Sequence, residues 1–416
     1  MYAGKQVEEC CGCSYPSDAL RDDCTYQMLL SELNESQNKA ISACLSGLNC
    51  NHNSAVKLIW GPPGTGKTRT LGTLLYALLK MKYRVLVCAP TNVAIKEVAS
   101  RVVDIMKEAH SKESGDLFCS MGEVLLFGYN ERLKIGEDVE DVYLDHRVQQ
   151  LTECFSPYNG FSSSLKSMIG FLEYCVSDYH IYVENMKREG SMAKSFLVFL
   201  REGFHSIALP LKAFISILCT HVAMSHLLKH NYQNLLCLNE ALESFQDLLL
   251  KNTLFSERLE KLFSYKKLPV AYQTISWSFD GDAYQLYEKR TACLNALLAV
   301  EHSLQDFMLK KSNNSEIREF CFQTSSLIFS TASGSHKLHS LTMKPLNILV
   351  IDEAAMLKDC ESIIPLLLPG ISHALLFGDE CQLSSMVRSN VCNHYQAYII
   401  FLSDNSSSPI LLLLLI

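Results

Sequence analysis

The octapeptide Gly61-Pro-Pro-Gly-Thr-Gly-Lys-Thr68 holds the residue types best suited to gripping a chain of phosphates. It fits the pattern G-x-x-x-x-G-K-[ST], and each position has a physical reason. Gly61, Gly64 and Gly66 let the backbone wrap tightly and aim its N–H groups at phosphate oxygens. Pro62, Pro63 and Thr65 complete the loop, and Arg69 follows it. Lys67 can reach the outer phosphates of a triphosphate, and the Thr68 hydroxyl can ligate Mg2+. Far along the chain, LNILVIDEAAM (346–356) ends an apolar run in Asp352-Glu353. Asp352 is expected to bind Mg2+ directly or through water, and Glu353 to polarise an attacking water. The pair is expected at the carboxyl end of a strand neighbouring that of the loop, where open α/β sheets place their ligands. In LLFGDECQL (375–383), Gln382 follows Gly378-Asp379 and could sense the outermost phosphate.

These groups need strands that end together, and the sequence supplies strand signals. Val56–Trp60 and Val85–Cys88 are short apolar runs, each followed by turn residues and a helix-period stretch, the mark of a parallel βαβ sheet. Strand signals return at Ser326–Thr331, Leu346–Ile351 and Ala374–Phe377. A helical pattern runs from Ser36 to Leu45, with Glu35 and Ser36 as cap residues. From about 110 to 320 the pattern is helical instead. Leu235, Leu238, Leu242, Phe245 and Leu249 step by three and four, as do Leu294, Leu297, Leu304 and Phe307 with one gap, which implies packed amphipathic helices. The fold class is therefore α/β, a phosphate-loop nucleotide-triphosphatase sheet interrupted by a long, mainly helical insertion.

Composition narrows the class further. The 416 residues are 48% hydrophobic and 19% charged, with a net charge of −7, which does not by itself advertise a nucleic-acid binder. Nine Lys/Arg against two acids nevertheless fall between Val56 and Lys107, a local +7 that could form a track for phosphates, while Glu131–Asp145 carries six acids against two bases. Seventeen cysteines without a secretory signal read as reduced thiols. Cys10, Cys11, Cys13 and Cys24 lack the paired spacing of a zinc knuckle. No run approaches the 18 or more apolar residues of a membrane span, and the closing ILLLLLI is too short to cross a bilayer but reads as an aggregation-prone or partner-binding end.

Three further segments carry a resemblance. LNESQNKAI (33–41), CAPTNVAIKEVASRV (88–102) and IFSTASGS (328–335) resemble, in order, the Q motif, motif Ia and motif Ic of superfamily 1 helicases, and DEAA and GDECQ look like motifs II and III. The group resembled is that of the nonsense-mediated-decay helicase and senataxin, especially its plant branch. The resemblance spans residues 33–107 and 326–383 and is looser through the insertion. It implies a RecA-like lobe that uses ATP and Mg2+. Gln37 would read the adenine edge, while Lys67, Asp352, Glu353 and Gln382 would serve catalysis. Pro90, Thr91 and Asn92, with Thr331, Ala332 and Ser333, would lie along single-stranded RNA or DNA. The accessory region of this group often includes a small barrel, whereas this insertion reads as helical.

The implied organisation is a leader (1–30, little ordered), a first part of the lobe (31–107), an accessory insertion (108–321), a second part of the lobe (322–390) and a divergent tail (391–416). Only 33 residues follow Leu383, whereas a second α/β lobe needs on the order of 100–150. Ser384 also stands where the group usually has proline. The expectation is a first motor lobe, slow in hydrolysis and unable to unwind alone. The alternative is a non-catalytic regulatory fragment that binds nucleotide or nucleic acid. Expected partners are single-stranded nucleic acid and other RNA-processing proteins, with no membrane, in the nucleus or cytoplasm. Hexameric AAA+ ATPases share GPPGTGKT, but they place their acidic strand soon after the loop, and here Asp352 lies 285 residues (352 − 67) beyond Lys67.

Overall fold

Seven parallel strands carry the motifs. The computed structural model describes residues 18–48, 55–113, 118–251, 256–265, 281–308, 313–379 and 410–415. Strands β1 (Ala55–Trp60), β2 (Val85–Ala89), β3 (Val124–Leu126), β4 (Leu327–Thr331), β5 (Ile348–Ile351), β6 (His373–Gly378) and β7 (Ile410–Leu415) lie in the order β3-β4-β2-β5-β6-β1-β7. Parallel neighbours cannot be joined by tight hairpins, so helices make the crossovers and cover the faces. That is why β2 and β5, buried along their whole length, are unbroken apolar runs instead of alternating ones.

The helices of this first compact unit, residues 1–148 and 318–416, begin with α1 (Asp18–Arg21), α2 (Cys24–Ser31) and α3 (Glu35–Leu48). Helix α4 (Lys67–Lys80) follows β1, and α5 (Asn92–Glu113) follows β2. From Thr70 to Leu79 every residue of α4 is buried, so this helix is core on all sides. Leu71, Leu74 and Leu78 share one apolar cluster with Val85, Val350, Leu375 and Phe377.

Residues 1–17 lie outside the described part, and the stretch after them departs from the expected disorder. Asp23 caps α2 by accepting from Tyr26 N at 2.8 Å, and its carboxylate also takes the Tyr76 hydroxyl at 3.3 Å and pairs with Lys80 at 2.9 Å. One carboxylate thus ties α2 to α4, while Leu20, Tyr26 and Leu29 enter the core. The end of the chain departs as well. The leucine-rich run, read as an aggregation-prone or partner-binding end, forms β7 beside β1, with Ala55 opposite Ile410.

The other departure lies within 108–321. Val124–Leu126 is a strand of the main sheet, Val124 opposite Leu327, so this part of the expected insertion belongs to the lobe. It is held from behind by Arg147, which is fully buried. The Arg147 guanidinium donates to the carbonyls of Val124 at 2.7 Å, Met121 at 2.8 Å, Asp141 at 3.0 Å and Gly122 at 3.2 Å.

The second unit, residues 149–317, is helical in all its described regular structure. Its long helices are Phe161–Arg188, Phe196–His221, Lys229–Leu249 and Gly281–Met308. The stripe Leu235, Leu238, Leu242, Phe245 and Leu249 is buried throughout, as its spacing predicts. Leu297 and Leu304 are buried too, whereas Leu294 is only half-buried. Among the described residues one helix, Phe196–His221, is long and apolar enough to cross a membrane, with mean hydropathy 1.4, although no unbroken apolar run signals it. Its buried residues, Phe196, Leu200, Phe204, Ala208, Leu211, Ile215 and Leu218, step along one face, the pattern of a helix packed in a bundle.

Replacing Arg147 by leucine removes a buried donor shared by four carbonyls. An expected loss of about 2–4 kcal/mol would appear as a lowered melting temperature by circular dichroism. Arg188→Leu, at a side chain 77% exposed, is expected to change stability by no more than about 0.5 kcal/mol. Equal effects of the two substitutions would refute the role given to Arg147.

Candidate nucleotide and nucleic-acid site

As the chain leaves β1, Gly61 N donates to Gly378 O at the end of β6, at 3.3 Å. The loop then turns through Gly64 (φ 77°) and Gly66 (φ 81°), conformations that side chains resist. Gly66 has a second constraint, because a Cβ there would stand 2.7 Å from Gln37 Nε2. Buried Gln37 accepts from Asn34 N at 2.8 Å and donates to Thr65 O at 2.8 Å. The amide assigned to adenine thus also clamps the phosphate loop. One N–H and one lone pair remain on it for a base edge.

Pro62, Pro63 and Gly64 are exposed, while Thr65, Thr68 and Arg69 are half-buried. Arg69 is engaged by the Glu32 carboxylate. Lys67 is buried, and its ammonium folds back onto the loop, donating to Gly61 O at 2.6 Å and more weakly to Pro62 O at 3.4 Å.

The acidic pair does not sit on the strand next to β1, as the sequence suggested. β6 lies between β1 and β5. The pair still comes to the same edge, since Asp352 N donates to Cys88 O at 2.8 Å and Glu353 turns the chain with φ 49°. Asp352 is only 5% exposed. Burial and the adjoining Glu353 carboxylate push its pKa up to about 6, against the pull of the Glu353 backbone N–H and the Lys67 ammonium. Lys67 and Asp352 therefore act on one another across a shared site. Asp352 Oδ1 and Glu353 Oε2 are buried with no hydrogen-bond partner. A divalent cation fits here, because it would give these oxygens the positive partner they lack. Gln382 lies outside the described residues. Asp379, three positions before it, is buried and accepts from Trp60 Nε1 at 3.2 Å.

The second group of residues lines the other half of the same edge. Pro90, Thr91 and Asn92 leave β2, and Thr331, Ala332 and Ser333 leave β4, the strand beside it. Exposed Thr91 caps α5, its Oγ1 accepting from Ala94 N at 3.1 Å. Pro90 and Asn92 are half-buried and Ser333 is exposed. Thr331 Oγ1 accepts from Gly334 N at 3.1 Å. Ala332 differs from the reading given to it. Its side chain is buried and its N–H bonds Ala89 O at 3.0 Å, so it locks β4 to β2 and presents no surface.

The local +7 also resolves differently. Seven of its nine cations have partners inside the fold: Lys57, Lys67, Arg69, Lys80, Lys82, Arg84 and Lys96 each meet a carboxylate or backbone carbonyl. The run is a set of braces more than a track.

A parallel sheet with a phosphate loop leaving one strand, an acidic pair leaving a strand two places away and polar loops beyond it is a RecA-like P-loop NTPase. The family described as AAA domain matches residues 32–390, and the chain belongs to that family. The ATP-dependent helicase NAM7 of Saccharomyces cerevisiae is 45% identical over 76 residues, 18% of this chain and 7% of that protein. The probable helicase senataxin of Homo sapiens is 33% identical over 136 residues, 29% of this chain and 5% of that protein. Helicase sen1 of Schizosaccharomyces pombe is 29% identical over 156 residues, 33% of this chain and 8% of that protein. The matched stretches thus span less than a tenth of these relatives. The motif-based resemblance to superfamily 1 helicases of the senataxin and nonsense-mediated-decay group agrees with these matches.

An acid whose pKa rises on folding, here from an ordinary 3.8 to about 6, weakens the fold once ionised. Its contribution is intact below the unfolded pKa and is lost as pH rises through the folded one. Asp352→Asn should therefore stabilise the chain, free of nucleotide and metal, by about 2–3 kcal/mol at pH 7.5, with the gain vanishing near pH 4. Thermal melting at both pH values measures it. An equal gain at both would show that ionisation is not the cause.

Proposed function

We propose that this chain binds ATP with Mg2+ in the Gly61–Thr68 loop and hydrolyses it in response to single-stranded RNA or DNA laid across Thr91, Asn92, Thr331 and Ser333. The observation that carries this reading is the pair of buried, unpartnered carboxylate oxygens on Asp352 and Glu353, the first of which also feels the phosphate-loop lysine.

Loop N–H groups and the N-terminus of α4 hold the phosphates. Lys67 leaves the carbonyls of Gly61 and Pro62 and pairs with the outer phosphate oxygens. Thr68 and Asp352 hold the cation, which when bound neutralises charge on the phosphates. Ionised Glu353 orients and deprotonates the attacking water. Gln37 keeps the loop in shape while offering its remaining hydrogen-bonding capacity to the adenine edge. Backbone gripping by small hydroxyl and amide groups positions a strand without reading its bases, so RNA and DNA both fit.

Strand separation takes a second lobe that closes on the nucleotide and adds arginines, whether in one polypeptide or in a partner. Without such a second lobe, turnover is slow and duplexes stay paired. Its setting is the nucleus or cytoplasm, beside other RNA-processing proteins.

Phosphate release, measured with and without polyuridylate or oligothymidylate, tests the reading. Turnover stimulated by the polymer is expected, and Lys67→Ala should lower it by about 100-fold or more. Glu353→Gln should keep ATP binding and lose turnover. Polymer binding with no turnover in the unaltered chain would instead identify a non-catalytic binding module.

A further inference from the structure

Beyond the ends of β3 and β4 lies a cavity of about 980 Å3, all of it within the first unit. That is at the upper end of the range of about 300–1,000 Å3 found for small-ligand sites. Phe127 and Phe322, packed edge-to-face with centroids 5.3 Å apart, are buried in its wall. Tyr129, by contrast, is 62% exposed. Two cations attend its ring: Lys337 Nζ lies 4.1 Å from the centroid and Arg132 Cζ 5.6 Å. An exposed tyrosine alone is ordinary surface. One that edges a cavity between two cations has the make-up of a stacking platform for single strands, where the π-face takes a base and the cations take flanking phosphates.

The cavity is continuous with the loops assigned to nucleic acid. Gly128, next to Tyr129, lies against motif Ia, since a Cβ there would stand 3.9 Å from Asn92 Oδ1. Lys337 belongs to the 3-10 helix Ser333–Ser340, which opens on the motif Ic serine. Charge favours a polyanion as well. Arg132, Lys337 and Arg318 line the cavity against Glu131 and Asp145, and Asp145 is already engaged by Arg318 and by the Tyr143 hydroxyl at 2.7 Å.

We propose that this cavity is a base-stacking subsite for single-stranded nucleic acid, with Tyr129 as the platform and Lys337 and Arg132 as its phosphate partners. The proposal rests on the nucleic-acid reading above and extends the bound strand past Thr331–Ser333. A stacked base displaces the cation from the ring face and leaves it beside the phosphate. Selectivity among bases is low, because every base has a π-face.

The full chain with a fluorescein-labelled uridine 12-mer tests it, by anisotropy across a salt series. Tyr129→Ala should raise Kd about 5- to 100-fold and Tyr129→Phe should leave it near the unaltered value, with ATP affinity unchanged in both. Lys337→Ala should reduce the slope of log affinity against log salt by about 1. A 12-mer with abasic positions should bind the unaltered chain more weakly than the uridine 12-mer and should not distinguish it from Tyr129→Ala. If the 12-mer binds and Tyr129→Ala binds equally well, the subsite is overturned while the nucleic-acid reading stands. If the unaltered chain binds no 12-mer, both fall.

Discussion

Three strand ends meet at Gly378, and the rest of the site depends on how closely they approach. The Gly378 carbonyl accepts from the first residue of the phosphate loop. A Cβ on Gly378 would stand 3.2 Å from Ala355 N, in the turn that follows the acidic pair. With a side chain there, the turn after β5 would have to give way slightly at Ala355. A glycine at this point lets the turn after the carboxylates lie close to the strand beside the loop, although β6 separates β5 from β1. The electrostatic coupling of Asp352 to Lys67 is the mark of that approach.

The carboxyl edge of the sheet divides into two halves that share one seam. On one side β5, β6 and β1 carry the loop and the carboxylates. On the other, β2, β4 and β3 carry short polar side chains and then an aromatic one. Asp352 N bonds Cys88 O across the seam, two residues before Pro90, and Ala332 N bonds Ala89 O. Backbone hydrogen bonds thus connect the acidic turn with the loops on the far half. Most of the cations in the basic run brace carbonyls and carboxylates within the fold. A net charge of −7 is compatible with a grip built from strand-end hydroxyls and amides.

The phosphate loop and the acidic strand were legible because each needs particular residue types at fixed spacing with a strand beside it. β3 was not, since three residues show no periodicity and the guanidinium that bonds it belongs to Arg147, outside the strand. Of the expected leader, residues 18–30 were misread for a similar reason: α1 and α2 are short, and Asp23 reaches Tyr76 and Lys80. The interposed strand could not be foreseen, because spacing along a chain says nothing of lateral strand order. Gln37 could be read as a base contact from its neighbours in LNESQNKAI, but its clamp on Thr65 appears only once the loop is folded. Ala332 was grouped with Thr331 and Ser333 by the resemblance to motif Ic, and the turn after β4 buries it. Tyr129 stood in no motif, and only the cavity gives it meaning.

The lysine folded onto its own loop has a last consequence. Its ammonium already has two carbonyl partners, at 2.6 and 3.4 Å, so an incoming molecule must offer something better before the loop opens. A nucleoside without phosphates, even one with a perfectly matched purine, brings no anion to draw that ammonium away. Under the proposed reading, a nucleoside without phosphates leaves that lysine on its own carbonyls and gains nothing from the loop.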